Sequence, residues 1–144
     1  MQRCSLLTGT IRGAKCAAGL LLEQQLRSKG ELKGDEDFPY FKFGVFLNGT
    51  SPPLVSSNLT DEQKREIIQI PGLHVIGLED PWRDESRKLY KESFSDDFST
   101  LLEFQIGHRL PTVDKQTKRI ADEIIRLYKE TQRAVDSGNV QLGA

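Results

Sequence analysis

Cys4-Ser5-Leu6-Leu7-Thr8-Gly9-Thr10-Ile11-Arg12-Gly13-Ala14 is the stretch whose reading decides the fold. The apolar run from Cys4 to Thr8 has the length of a short buried strand. A glycine pentad, Gly9 to Gly13, follows it directly. From Ala14 to Arg27 the chain is rich in Ala, Leu, Glu and Gln, all good helix formers, and it stops near Lys29-Gly30, where glycine suits a helix end. Strand, glycine turn and helix in that order predict a parallel sheet with crossover helices.

The rest of the chain repeats the alternation. Phe41 to Leu47 is aromatic and β-branched, and Asn48-Gly49 after it is a turn signal. Thr60 predicts an N-cap, with Asp61 and Glu62 in the first turn of a short helix toward Ile68. Leu73-His74-Val75-Ile76-Gly77 is nearly continuous in its apolar character, as expected of a strand buried on both faces, and His74 inside it reads as a core histidine. A helix is expected over residues 84–93 and a strand over Leu101 to Gln105. The last helix, Lys115 to Val135, sets Ile120, Ile124, Leu127 and Tyr128 at helical spacing, so that one stripe should pack on the sheet. The expected class is α/β, a mostly parallel sheet of about four strands with flanking helices.

Composition narrows the partners. The chain has 144 residues, 28% of them charged, with a net charge of -1, which offers no electrostatic footprint for nucleic acid. Cys4 and Cys16 are too few for a disulfide scaffold and lack zinc-type spacing with histidines, so no metal or other cofactor is expected and a reduced, cytoplasmic setting is. The apolar stretch Ala17 to Leu22 falls short of the about 20 residues that a membrane span needs.

Polar groups that follow strands converge at one edge of an open α/β sheet, where ligands bind. Three such features occur in the order pentad, Asp80, His108. The pentad has the frame of G-x-S-x-G, in which a sharp strand-to-helix turn lifts a serine out of the sheet, but Ile11 stands at its centre. Taken singly, Asp80 before Pro81 reads as a turn or cap, and His108 as a structural histidine. Their joint placement reads as the acid and base of a triad, in which the histidine takes the nucleophile's proton and the carboxylate fixes its tautomer. Trp82 is read as a packing anchor with acyl-pocket lining as the alternative, and Arg109 as a solvated surface residue with an anionic substrate as the alternative. The glycine loop is open to an anion through its amides but does not match a nucleotide-binding P-loop.

Four segments carry a resemblance to a known family: Gly9 to Ala14; Phe41 to Gly49 with Pro52-Pro53; Leu73 to Pro81; and Gly107-His108-Arg109-Leu110-Pro111. Together they resemble the fungal serine hydrolases, which include polyketide-releasing esterases and thioesterases of the lovastatin type. The resemblance implies part of an α/β-hydrolase fold and cleavage of a small-molecule acyl ester or thioester, with a polyketide synthase carrier domain as a further partner. It implies Asp80 and His108 as triad acid and base. It also covers only the second half of a family member, so that residues 1–135 are expected to form a single shortened domain, with 136–144 as a flexible tail. Ile11 departs from the family pattern, and Thr10, one position off the apex, offers no substitute. Three functions remain open from the residues: an impaired member of a hydrolase family, a non-hydrolytic acid-base catalyst such as a cyclase or isomerase, and a catalytically silent binding or vestigial protein. An uncovered sheet edge near Cys4 adds the expectation of a marginal or oligomeric state.

Overall fold

The computed structural model describes residues 3–34 and 37–138. Four strands, β1 (Arg3–Thr10), β2 (Tyr40–Leu47), β3 (Gly72–Gly77) and β4 (Ser99–Phe104), form one sheet in the order β1-β2-β3-β4. Every pairing is parallel. The intervening helices are α1 (Arg12–Ser28), the four-residue α2 (Asp61–Lys64) and α3 (Arg83–Ser93), and α4 (Asp114–Asp136) follows β4.

A parallel sheet must be covered on both faces, and two apolar clusters do this. On one face α1 contributes Ala14, Ala17, Ala18, Leu21, Leu22 and Leu26 against Phe41 and Phe46, with Leu89 of α3, Ile68 and Phe94 completing the layer. On the other face Leu127 of α4 packs with Phe43, Val45, Leu73, Val75, Leu102 and Phe104, and Ile120 and Ile124 join from the side. Within the described residues, β1 is an edge strand, and none of the helices is long and apolar enough to cross a membrane.

Two buried glutamines of α1 stitch this helix to extended backbone. Gln24 Nε2 donates to the Phe41 carbonyl at 2.9 Å and its Oε1 accepts from the Phe41 N–H at 2.8 Å. Gln25 does the same between the Ile67 carbonyl, at 2.8 Å, and the Gln69 N–H, at 2.7 Å. Each amide thereby satisfies a donor and an acceptor that burial would otherwise leave unpaired.

Several expectations need correction. The helix capped by Thr60 does not reach Ile68. The cap itself is present as a full capping box, with the Gln63 N–H donating to Thr60 Oγ1 at 3.1 Å and the Thr60 N–H to Gln63 Oε1 at 2.9 Å. The helix ends at Lys64 because Ile68 is drawn into a bridge with the segment at Phe94, its N–H donating to the Ser93 carbonyl at 2.8 Å. Tyr128 is 47% exposed rather than part of the packed stripe, since its neighbour Leu127 holds the inward position and one residue turns the helix by about 100°. Trp82 is 57% exposed and is no packing anchor. Of the expected tail, Asp136 closes α4 and Gly138, at φ 70°, turns the chain; residues 139–144 lie outside the described residues.

His74 is the core histidine expected. Its ring stacks on Phe46 at 4.8 Å between centroids and meets Phe94 and Tyr90 edge-on at 4.6 and 5.3 Å. Burial alone pushes its pKa down to about 3, so the ring is neutral at ordinary pH.

Candidate active site

The site is assembled where the four strands end. After β1 the chain turns at Ile11, whose φ of 50° and ψ of -109° put a β-branched residue in a region that L side chains rarely adopt. The turn is held by the Ile11 N–H donating to the Leu47 carbonyl at 3.0 Å, and the side chain is 39% exposed. Entry into α1 is so tight that a methyl group on Gly9 would sit 2.4 Å from the Gly13 carbonyl oxygen. A methyl group on Gly13 would touch nothing within 4 Å, so the two glycines of the pentad do different things.

Past the ends of β3 and β4 the two chains stay joined. The Leu78 N–H donates to the Phe104 carbonyl at 2.8 Å and the Glu79 N–H to the Ile106 carbonyl at 3.0 Å. Gly77 is packed against this crossing, where an added methyl group would lie 2.5 Å from the Gly107 oxygen. The joined segments carry Asp80 and His108 to each other, with His108 Nδ1 2.7 Å from Asp80 Oδ2. The other carboxylate oxygen of Asp80 accepts from the Trp82 N–H at 2.8 Å.

This arrangement sets the protons. A carboxylate can only accept, so Nδ1 of a neutral His108 must carry the proton and Nε2 must hold the lone pair. Asp80 is 5% exposed, whereas the His108 side chain keeps 32% of its surface, so the carboxylate is buried behind a partly accessible imidazole. Nε2 has no hydrogen-bond partner among the described residues. An oriented imidazole of this kind can take a proton from a nearby group.

Sequence reasoning singled out Asp80 and His108 as residues that follow strands, and in the structure their side chains meet. Arg109 is exposed as expected, its guanidinium reaching Thr112 Oγ1 at 3.4 Å. Asn48 was missed. It reads locally as half of a turn signal, yet it is buried, adopts φ 49°, and spends its side chain on Gly77 and Arg109. Asparagine is one of the few residues that tolerate a left-handed backbone, and that tolerance was the available signal. Among the described residues, no group of three or more His, Cys, Asp or Glu is placed to hold a metal ion.

Known proteins resemble this chain in sequence and in fold. A model described as serine hydrolase (FSH1) matches residues 7–120. Esterase FUS5 of Gibberella moniliformis is 35% identical over 133 residues, which is 92% of this chain and 50% of that protein. Esterase tropF of Talaromyces stipitatus is 32% identical, covering 94% of this chain and 53% of its own. Thioesterase FSL2 of Gibberella zeae is 29% identical, covering 84% and 49%. The chain therefore spans about half the length of the curated relatives it matches. Among solved structures, esterase B from Lactobacillus rhamnosis, described with a tributyrin phosphonate inhibitor, superposes with a TM-score of 0.55 at 15% identity, covering 91% of this chain and 54% of that one. That likeness is one of fold, an α/β-hydrolase sheet with its helices.

Proposed function

The chain belongs to the FSH1 serine hydrolase family, and on that premise we propose that it carries the acid and base of an ester- or thioester-cleaving site whose nucleophile position is closed by Ile11. The substrate class is a small-molecule acyl ester or thioester, the latter presented in solution or on a carrier domain. Asp80 is the orienting acid and His108 the base. The observation that carries this reading is the 2.7 Å contact between His108 Nδ1 and Asp80 Oδ2, at the sheet edge where Ile11 holds a strained turn.

The chemistry follows from the side chains. In acyl transfer the base takes a proton from a hydroxyl as its oxygen attacks the carbonyl carbon, and the oriented carboxylate stabilises the imidazolium that forms. Ile11 has neither a lone pair nor a proton to give. Loss of the triad serine costs about 10⁶-fold in turnover in a well-studied protease, so the acyl-enzyme route is effectively shut here. The His108 side chain keeps 32% of its surface, which supports a second reading, proton transfer without an acyl-enzyme, as in a cyclisation or isomerisation. That reading fails if His108→Ala leaves the product profile unchanged.

Restoring the hydroxyl tests the main reading. The native chain is expected to stay unlabelled by a fluorophosphonate, and Ile11→Ser to become labelled at position 11, with labelling lost again in Ile11→Ser/His108→Ala. A folded Ile11→Ser protein that resists the probe, or equal labelling with and without His108, overturns the assignment of the pair.

A further inference from the structure

Asn48 ties the end of β2 to β3 and to the segment that follows β4. Its N–H donates to the Val75 carbonyl of β3 at 2.9 Å, and its Oδ1 accepts from the Gly77 N–H at 3.0 Å. Its Nδ2 donates to the Arg109 carbonyl at 3.2 Å, on the residue next to His108. The preceding carbonyl, that of Leu47, receives the Ile11 N–H. The apex of the elbow and the histidine loop are thus both anchored on two consecutive residues at the end of β2. A turn alone does not need this: any small residue tolerating φ 49° would reverse the chain, whereas the two side-chain bonds require a buried amide with its carbonyl toward β3 and its NH₂ toward the loop.

Resting on the reading of Asp80 and His108 as an acid-base pair, we infer that Asn48 is a positioning residue for His108, holding the His108-Arg109 backbone so that Nδ1 stays on Asp80. It acts through the loop and touches no reacting atom. The loop has few other ties: the Arg109 N–H turns back to the Gly107 carbonyl at 2.8 Å, and Arg109 reaches Thr112 within the same segment. Neither of these two bonds fixes the loop to the sheet. The bond from the Glu79 N–H to the Ile106 carbonyl holds the chain just before the loop and Thr117 Oγ1 meets the Pro111 carbonyl just after it, whereas the Asn48 amide holds it at Arg109, next to His108.

The chain contains two histidines, and this makes the test self-controlled. His74 lies in the core, so its imidazole signals in ¹⁵N-resolved NMR report the fold, while those of His108 report the site. In the native chain His108 is expected as a single tautomer with a protected Nδ1 proton. Asn48→Gly keeps a backbone that accepts φ 49° and removes both side-chain bonds. It is expected to speed exchange of the His108 Nδ1 proton roughly tenfold, the factor that loss of such hydrogen bonds gives to local opening, and to mix its tautomers without moving His74. Asn48→Asp retains the acceptor for Gly77 and replaces the donor to Arg109 by an oxygen; it should disturb His108 in the same way, and it decides the matter if Asn48→Gly shifts His74 as well. An unchanged His108 in the deciding variant overturns the inference. Asp80→Asn separates the two levels: if it leaves His108 unchanged the pair itself is misassigned, whereas if it alters His108 and the Asn48 variants do not, only the role of Asn48 falls.

Discussion

Asp80 and His108 lie 28 residues apart in the chain, yet the carboxylate of one meets Nδ1 of the other at 2.7 Å. Their contact is produced by the continued pairing of the segments that leave β3 and β4, and it therefore reports on the register of the sheet as well as on the chemistry of the site. In Asp80→Asn the oxygen that accepts from the Trp82 N–H can be kept, so folding stability should change by less than about 1 kcal/mol. The amide no longer selects the productive tautomer. In an Ile11→Ser background, turnover of a p-nitrophenyl ester should fall by about 10⁴-fold relative to Ile11→Ser alone, as measured by kcat.

Ile11 stores strain. A residue held in such a sparsely populated backbone region costs of the order of 1–3 kcal/mol, and with its side chain 39% exposed little burial offsets that cost. Ile11→Gly should raise the urea midpoint, with a gain of about 1 kcal/mol after the entropy of glycine in the unfolded chain is subtracted. A loss of stability on this substitution would show that the isoleucine contacts outweigh the strain.

The two pentad glycines should respond oppositely to alanine. Gly9→Ala drives a methyl group against the backbone of Gly13 and Ala14, which belongs to a helix and cannot yield cheaply, and a loss of about 1–3 kcal/mol is expected. Gly13→Ala meets open space within the first turn of α1 and should be neutral or stabilising by about 0.5 kcal/mol. Paired denaturant titrations give the comparison directly.

Acid should expose the buried His74. Its pKa is lowered to about 3 in the folded chain against about 6.5 when unfolded, so the unfolded state binds more protons in the interval between those values. Its contribution is fully present above pH 6.5 and is lost as pH falls toward 3, on the order of 4 to 5 kcal/mol over the whole interval. His74→Phe should flatten the fall in unfolding free energy across that window. Parallel pH profiles for the two proteins would exclude His74 as the cause.

Much of this was legible in the chain, and the exceptions have physical reasons. The run Leu73 to Gly77 and the helix from Ala14 announce themselves because burial on one or both faces writes a period into neighbouring residues. Asp80 and His108 were singled out by their positions just past such strands. Tyr128 went wrong because a hydrophobic stripe fixes a helix face only to within a residue, and Leu127 takes the inward place. The helix after Thr60 was overextended because its end is set by the bridge from Ile68 to Phe94, a partner that no local pattern names. Gln24 and Gln25 look like surface helix formers until the strands they serve are in place.

The sequence by itself determined the succession of strands and helices, the glycine turn and the absence of a nucleophile at its apex. These are properties of adjacent residues: side-chain period, backbone freedom and the chemistry of one side chain. Only the tertiary structure decided that Asp80 meets His108, that Ile11 bears a left-handed backbone, and that Asn48 ties the end of β2 to β3 and to Arg109. Those facts depend on distances between residues far apart in the chain, and such distances exist only once the parallel sheet has paired and its register has closed.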